Sequence, residues 1–140
     1  MTDREYRALS DFRYQIRRFL HFSEEAARCA GLEPQQHQML LAIRGFGEAD
    51  GPTIGQLAEH LVLRHHSAVG LADRLEQRGL LERVRSEGDR RQVRLRLTPD
   101  GAESVRRLSK LHREELRDSA PVLIDALHRA IEIAPAGIQA

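Results

Sequence analysis

The sequence predicts a mainly α-helical chain carrying one small β-hairpin, and three observations predict it. Apolar residues recur at intervals of three and four through most of the 140 positions, the period of helices with one buried face. The period changes once: "LLERVR" (residues 80–85) sets Leu81, Arg83 and Arg85 opposite Glu82 and Val84, and "QVRLRL" (residues 92–97) alternates apolar and charged positions, as half-buried strands do. Glycine, proline and Ser/Thr punctuation falls mostly at the junctions between these segments.

Each element follows in order. Leu9, Phe12, Ile16, Phe19, Ser23, Ala26 and Ala30 form a heptad-like stripe that predicts a first helix over residues 4–30, stopped by Gly31. The stripe suits either a core face or half of a helix–helix seam. Pro34 opens a second helix, with Met39, Leu40, Ala42, Ile43 and Phe46 on its buried side. "GFGEADGP" (residues 45–52) reads as a loop. Thr53 followed by Gln56 is a capping-box pattern, which starts a short third helix. After a tight turn, residues 64–79 place Ala68, Leu71, Ala72 and Leu75 on one helical face, and Gly79 suits a left-handed cap. Two short helices joined this way form a helix-turn-helix candidate, although any two packed helices share the description.

The two alternating segments then form a hairpin turning at Gly88, with Val93, Leu95 and Leu97 facing away from Arg94 and Arg96. A helix-turn-helix followed by such a hairpin is a winged helix. Thr98 caps a fifth helix opening at Pro99, with Ala102, Val105, Leu108, His112 and Leu116 as its stripe. Ser119 and Pro121 predict a break, then a sixth helix through Ile133 and a frayed tail. The expected organisation is a single domain over residues 1–140. Its winged-helix lobe spans residues 34–98, and residues 4–30 and 99–133 form flanking helices.

Composition narrows the function classes. The length supports one domain with a core, and with 4% aromatic residues and no Trp that core is aliphatic. No apolar run approaches the ~20 residues that span a bilayer, and the charged N-terminus lacks a secretion-signal pattern. Cys29 is the only cysteine, so no intramolecular disulfide forms. A cytoplasmic protein with no membrane partner is expected. Net charge is only +1, but its distribution is uneven. From Arg64 to Arg96 the chain has nine arginines against five acidic residues; the remainder has 13 basic against 16 acidic. This excess suits a polyanion-binding face. The alternative is an ordinary solvated surface, since Lys110 is the only lysine and arginine is the general cation here.

The residues "DRRQVRLRLTPDG" (Asp89–Gly101) resemble the wing signature of the MarR-type winged-helix regulators: Asp-x-Arg, an alternating strand, then Leu-Thr-x-x-Gly. "SAVGLADRLEQRGLLERV" (Ser67–Val84) resembles that family's recognition helix and its exit into the wing, and the order of elements agrees over nearly the whole chain. The resemblance implies a homodimeric, sequence-specific transcriptional regulator of double-stranded DNA, whose first and last helices interlock between subunits. It implies a palindromic operator and, in many members, release of DNA by a small-molecule effector bound between the dimer and DNA-binding lobes. It implies no enzymatic activity and no cofactor.

The residue types fit that expectation. A recognition helix enters the major groove by its N-terminal end, which here carries Arg64, His65, His66 and Ser67. Arg64 suits bidentate pairing with guanine and Ser67 a base or phosphate. Gly70 permits close approach but reads nothing, and Arg74 suits a phosphate. At the wing, Arg90 and Arg91 suit a narrow minor groove. By the resemblance Asp89 orients Arg91, a charge-assisted bond that lowers the ordering cost. Arg94 and Arg96 suit backbone phosphates. The apolar stripes on the flanking helices exceed what a small winged-helix core covers, which points to a second copy, and half-sites about one helical turn apart suit such a dimer.

Two other functions stay open. One is a winged-helix protein-interaction module without DNA binding, which Gly70 in the recognition helix leaves in play. The other is an oxidant sensor through Cys29, whose place at a helix C-terminus disfavours the thiolate. No pair among the seven histidines has the i, i+4 spacing of a helical metal site, and no metal is expected. No phosphate loop, dinucleotide fingerprint or nucleophile motif is present, and adjacent carboxylates such as Glu24–Glu25 point apart on a helix.

Overall fold

The computed structural model describes residues 1–47, 50–85, 88 and 92–132. The element order is α1 (Asp3–Cys29), α2 (Pro34–Gly45), α3 (Ile54–His60), α4 (His65–Gln77), β1 (Leu81–Arg85), β2 (Val93–Leu97) and α5 (Pro99–Glu132). Two compact units result: residues 27–110, and residues 1–26 together with those from 111 onward.

The 27–110 unit is a winged helix. Met39, Leu40, Leu57, Leu71, Leu75, Leu81, Leu95 and Leu108 are essentially inaccessible and form its aliphatic core. Caps set the helix starts. Thr53 Oγ1 accepts the Gln56 N–H while Gln56 Oε1 accepts the Thr53 N–H, the expected capping box. α2 starts the same way, with Glu33 and Gln36 as the pair; Pro34 marked the place, but the pair itself was not anticipated. β1 and β2 are antiparallel in the register Leu81↔Leu97, Arg83↔Leu95 and Arg85↔Val93, which puts Leu81 and Leu95 in the core. One pairing has no signature in the alternation. Leu95 N–H donates to Pro52 O (2.8 Å), and Thr53 bridges to Arg94 on the outer edge of β2. Gly51, at φ +77°, lies so close to β2 that a Cβ there would stand 2.2 Å from the Leu95 carbonyl oxygen.

The peptide at Gly79–Leu80 joins three elements. The Leu80 N–H closes α4 onto Leu75 O (3.0 Å), and the Leu80 carbonyl accepts from the Thr98 N–H (3.2 Å) just before α5. Thr98 Oγ1 donates to Gly79 O (2.6 Å) and accepts from the Gly101 N–H (3.1 Å). Gly101 is pressed against the same peptide, where a Cβ would fall 1.9 Å from Leu80 O.

Three helices end in one hydrogen-bond pattern, the Schellman closure. At α1, Gly31 N–H donates to Arg28 O and Leu32 N–H to Ala27 O; at α4, Gly79 donates to Glu76 and Leu80 to Leu75. At α3, Val62 N–H donates to Glu59 O and Leu63 N–H to Ala58 O. The closing residue is left-handed each time: Gly31 at φ +80°, Gly79 at +72°, and Val62 at +55°. A left-handed L-residue costs about 1–2 kcal/mol, and a β-branched one is a true outlier.

In the second unit the α1 stripe differs from the expectation at its ends. Ser23 is buried and Phe12, Ile16 and Phe19 are half-buried, but Ala8 takes the place expected of Leu9, which is 45% exposed. The expected break at Pro121 is absent, since α5 runs through it. Pro121 and Arg117 are exposed, so the carbonyl that loses its helical donor lies on the water side. His112 is buried, its ring edge-on to Phe22 at 6.1 Å. Burial holds its imidazole below the ordinary value of 6.5, with a bond to the Ser23 backbone acting in the opposite direction. Among the described residues no helix is long and apolar enough to cross a membrane.

Two predictions follow from this packing. Val62→Gly is expected to raise the melting temperature by about 2–4 °C: relief of the left-handed Val outweighs glycine's entropy cost by roughly 0.5–1 kcal/mol. An unchanged or lower midpoint in a thermal scan would contradict the strain. Because the folded state favours neutral His112, its stability contribution is full above the unfolded-state value and is lost as pH falls below about 6.5. The drop in melting temperature from pH 7.5 to 5.5 is expected to be smaller in His112→Gln than in the parent chain, and equal drops would show that another group controls it.

Candidate nucleic-acid interface

α4 is held from three sides. Its inner face, Ala68, Leu71, Ala72 and Leu75, is buried against α2, α3 and β1. Arg83 on β1 reaches two turns of its outer face, with Nη2 2.7 Å from Asp73 Oδ1 and Nη1 2.7 Å from Glu76 Oε1. Arg78, at its C-cap, donates to Gln36 Oε1 (2.9 Å), the same oxygen that accepts the Glu33 N–H. Each surface ion pair contributes little alone, ~0–1 kcal/mol. Two carboxylates on one guanidinium do set the rotation of the helix relative to the hairpin.

The N-terminal turn of α4 is left open. Arg64 is the N-cap, extended at φ −68° and ψ 150°, and its side chain caps nothing. Arg64, His65, His66 and Ser67 are all exposed, as is Arg74 two turns on. Arg74 leans back toward the N-terminus, so that Nη1 lies 3.5 Å from where a Gly70 Cβ would be. Gly70 is therefore not demanded by a clash; its bareness gives the Arg74 head room on this face. The turn thus presents a guanidinium, two imidazoles and a hydroxyl, a donor-rich set suited to base edges and phosphates.

The wing divides. Arg94 is half-buried: Nη1 donates to Gly51 O (2.9 Å) and Nη2 to Gln92 Oε1 (3.0 Å). It ties the 50–53 segment to β2 instead of presenting its whole head to a phosphate. Arg96, one residue pair along on the same face, is exposed. Asp89, Arg90 and Arg91 lie outside the described residues. Sequence reasoning did not foresee the bracing roles of Arg78, Arg83 and Arg94. Only the acidic i, i+3 pair Asp73 and Glu76 on α4 signalled an internal partner for one of them.

Cys29 is exposed as the last residue of α1. Among the described residues no three His, Cys, Asp or Glu side chains converge as a metal site.

Residues 30–92 match the family model described as the MarR family. The chain is 32% identical over 87 residues to the HTH-type transcriptional regulator PecS of Dickeya dadantii, a match covering 62% of this chain and 52% of that protein. It spans about half the length of several curated relatives it matches. Among solved structures it resembles the transcriptional repressor CouR bound to a 23-mer DNA duplex, at 30% identity, TM-score 0.64 and coverage of 82% and 84% of the two chains. It shares the fold of AbsC, a MarR family transcriptional regulator from Streptomyces coelicolor, at TM-score 0.74 and 24% identity over 94% and 91% of the two chains. With the wing signature, the braced recognition helix and these matches together, the chain belongs to the MarR family of winged-helix transcriptional regulators.

Proposed function

We propose that this chain acts as a homodimeric, sequence-specific DNA-binding repressor that a small-molecule effector releases from its operator. The observation that carries the reading is the state of the α4 N-terminal turn. Arg64, His65, His66 and Ser67 are exposed on a helix whose other faces are braced or buried. Arg64, His66 and Ser67 read base edges in the major groove, and Arg74 and Arg96 meet phosphates. The wing residues Asp89, Arg90 and Arg91 act at the minor groove, while Arg94 ties β2 to the 50–53 segment. CouR, the relative seen on a DNA duplex and named a repressor, supports the repressor assignment.

The dimer part of the proposal is supported by the surface of α1 and α5. Tyr6, Leu20, Leu116, Ile124, Leu127 and Ile131 are exposed on these helices, more apolar surface than a monomer normally shows to water. A groove of about 710 Å3 lies between Phe19 and Phe22 on α1 and Val122 and Leu123 on α5, a fitting seat for a second copy. The domain division is read accordingly: residues 34–98 meet DNA, and residues 4–30 and 99–133 meet the partner subunit. Effector release is carried over from the family resemblance.

The test is fluorescence anisotropy on the duplex upstream of the chain's own gene, against a scrambled duplex, across a salt series. Tighter binding to the native duplex with a steep salt slope is expected. Arg64→Ala and Arg91→Ala are each expected to cost about 1–3 kcal/mol, roughly five- to hundredfold in affinity. If a selection from random DNA also recovers no preferred duplex, the protein-interaction reading replaces this one. In sedimentation equilibrium the parent chain is expected to be a dimer and Ile124→Glu/Ile131→Glu a monomer; a monomeric parent would remove the dimer from the proposal.

A further inference from the structure

Val62 combines two properties that the fold does not explain. It is 90% exposed, the most exposed large apolar side chain among the described residues. It also occupies, at φ +55°, a closing position that the chain gives to glycine at two other helix ends with the same hydrogen bonds. A glycine there would keep both closing bonds and shed both the strain and the exposed isopropyl group. Side chains held in such conformations gather where they contact something outside the fold. No hydrogen bond or burial within the unit depends on this side chain.

Its position says what that something is. Val62 sits in the turn of the helix-turn-helix, two residues before Arg64, within ~7 Å of chain. The side chains that follow, Arg64 to Ser67, are the exposed donor set of the recognition helix. A helix-turn-helix brings this end of its second helix to the major groove, so the turn feeding that end comes to the DNA surface with it. The major groove offers two kinds of apolar partner, the thymine C5-methyl group and the deoxyribose edge beside it. A β-branched side chain is stiff at χ1, so it meets such a partner with little further loss of freedom.

We infer that Val62 is a DNA-contacting residue: its isopropyl group packs against apolar DNA surface, a thymine methyl in each half-site beside the bases reached by Arg64–Ser67. The inference rests on the DNA-binding reading above and deepens it. It makes the α3–α4 turn a third element of readout, alongside the recognition helix and the wing, and it accounts for a strained valine where glycine is the cheaper residue.

The experiment uses the full chain and the duplex it selects from random DNA. Val62→Gly and Val62→Asn both suit a left-handed turn and remove the apolar group. Both are expected to melt no lower than the parent yet bind the selected duplex about fourfold or more weakly, the value of roughly one buried methyl-sized group per contact. Opposite signs for stability and affinity are not expected of a merely structural residue. Replacing each thymine of the half-site in turn by deoxyuridine, which lacks only the C5-methyl group, identifies the partner. One position is expected to weaken the parent chain and leave both variants unchanged. A loss in the variants without any such thymine would assign the contact to deoxyribose instead. Variants that bind as tightly as the parent overturn the inference alone, leaving the regulator reading intact. Failure to select any duplex overturns both.

Discussion

The single peptide Gly79–Leu80 determines how the functional surface is built. The recognition helix ends on it, the first wing strand begins from it, and the Thr98 cap of α5 is anchored to both of its carbonyls. Gly101 approaches it so closely that no side chain fits between. A shift of any of these elements must break bonds or create overlap at this point. The Leu-Thr-x-x-Gly segment is therefore less a nucleic-acid signature than a joint. Leu97 closes the strand register opposite Leu81, Thr98 bonds the joint, and Gly101 clears it. Recognition helix and wing can then meet a ligand as one body, which keeps the ordering cost of binding small.

Within that body the arginines have separate tasks. The excess of positive charge between Arg64 and Arg96 suggested a polyanion face, but charge counting treats braces and contacts alike. Arg78 is engaged by Gln36, Arg83 by Asp73 and Glu76, and Arg94 by Gly51 and Gln92. Arg64, Arg74 and Arg96 stand exposed. The distinction follows from reach and chemistry. Arg83 lies on the strand adjoining α4 and opposite two carboxylates one turn apart, and its fork suits both. Arg64 stands at a helix start, where the nearby backbone offers donors and no acceptor for a cation.

Much of this is legible in the sequence because caps and periods are local. Thr53 with Gln56, Pro34, Gly31, Gly79 and Thr98 each mark an element boundary through a backbone bond or dihedral that their own side chain, or lack of one, decides. The hairpin follows from the change of period, most clearly in its second strand. What escaped depends on distance or on overriding a local rule. The Thr53–Arg94 bridge joins residues far apart in the chain, and no single segment encodes it. α5 continues through Pro121 because a long amphipathic face, with Ala126 buried beyond the proline, outweighs one missing hydrogen bond on the water side. Val62 escaped because the rule for a left-handed cap looks for glycine or asparagine, and the sequence "HLVLRHH" offers neither. Of the candidate site, the residues named for the α4 turn are those the structure leaves exposed, while the internal engagement of Arg94 required knowing where Gly51 lies.

The two surfaces differ in chemistry, and this bears on the choice between a nucleic-acid and a protein partner. Among the described residues, ten of the fourteen exposed large apolar side chains belong to α1 and the later part of α5, and Met1 precedes α1; the winged helix carries only Leu41, Phe46 and Val62. A winged helix turned to protein recognition needs an anchoring apolar cluster at its recognition helix, and α4 exposes arginine, histidine and serine there. A surface that meets phosphates needs donors and cations without acceptors nearby, which matches the α4 turn. The acidic residues on α4, Asp73 and Glu76, share the single guanidinium of Arg83, beyond that turn. The same arrangement that braces the helix thus keeps its negative charge away from the exposed Arg64–Ser67 turn.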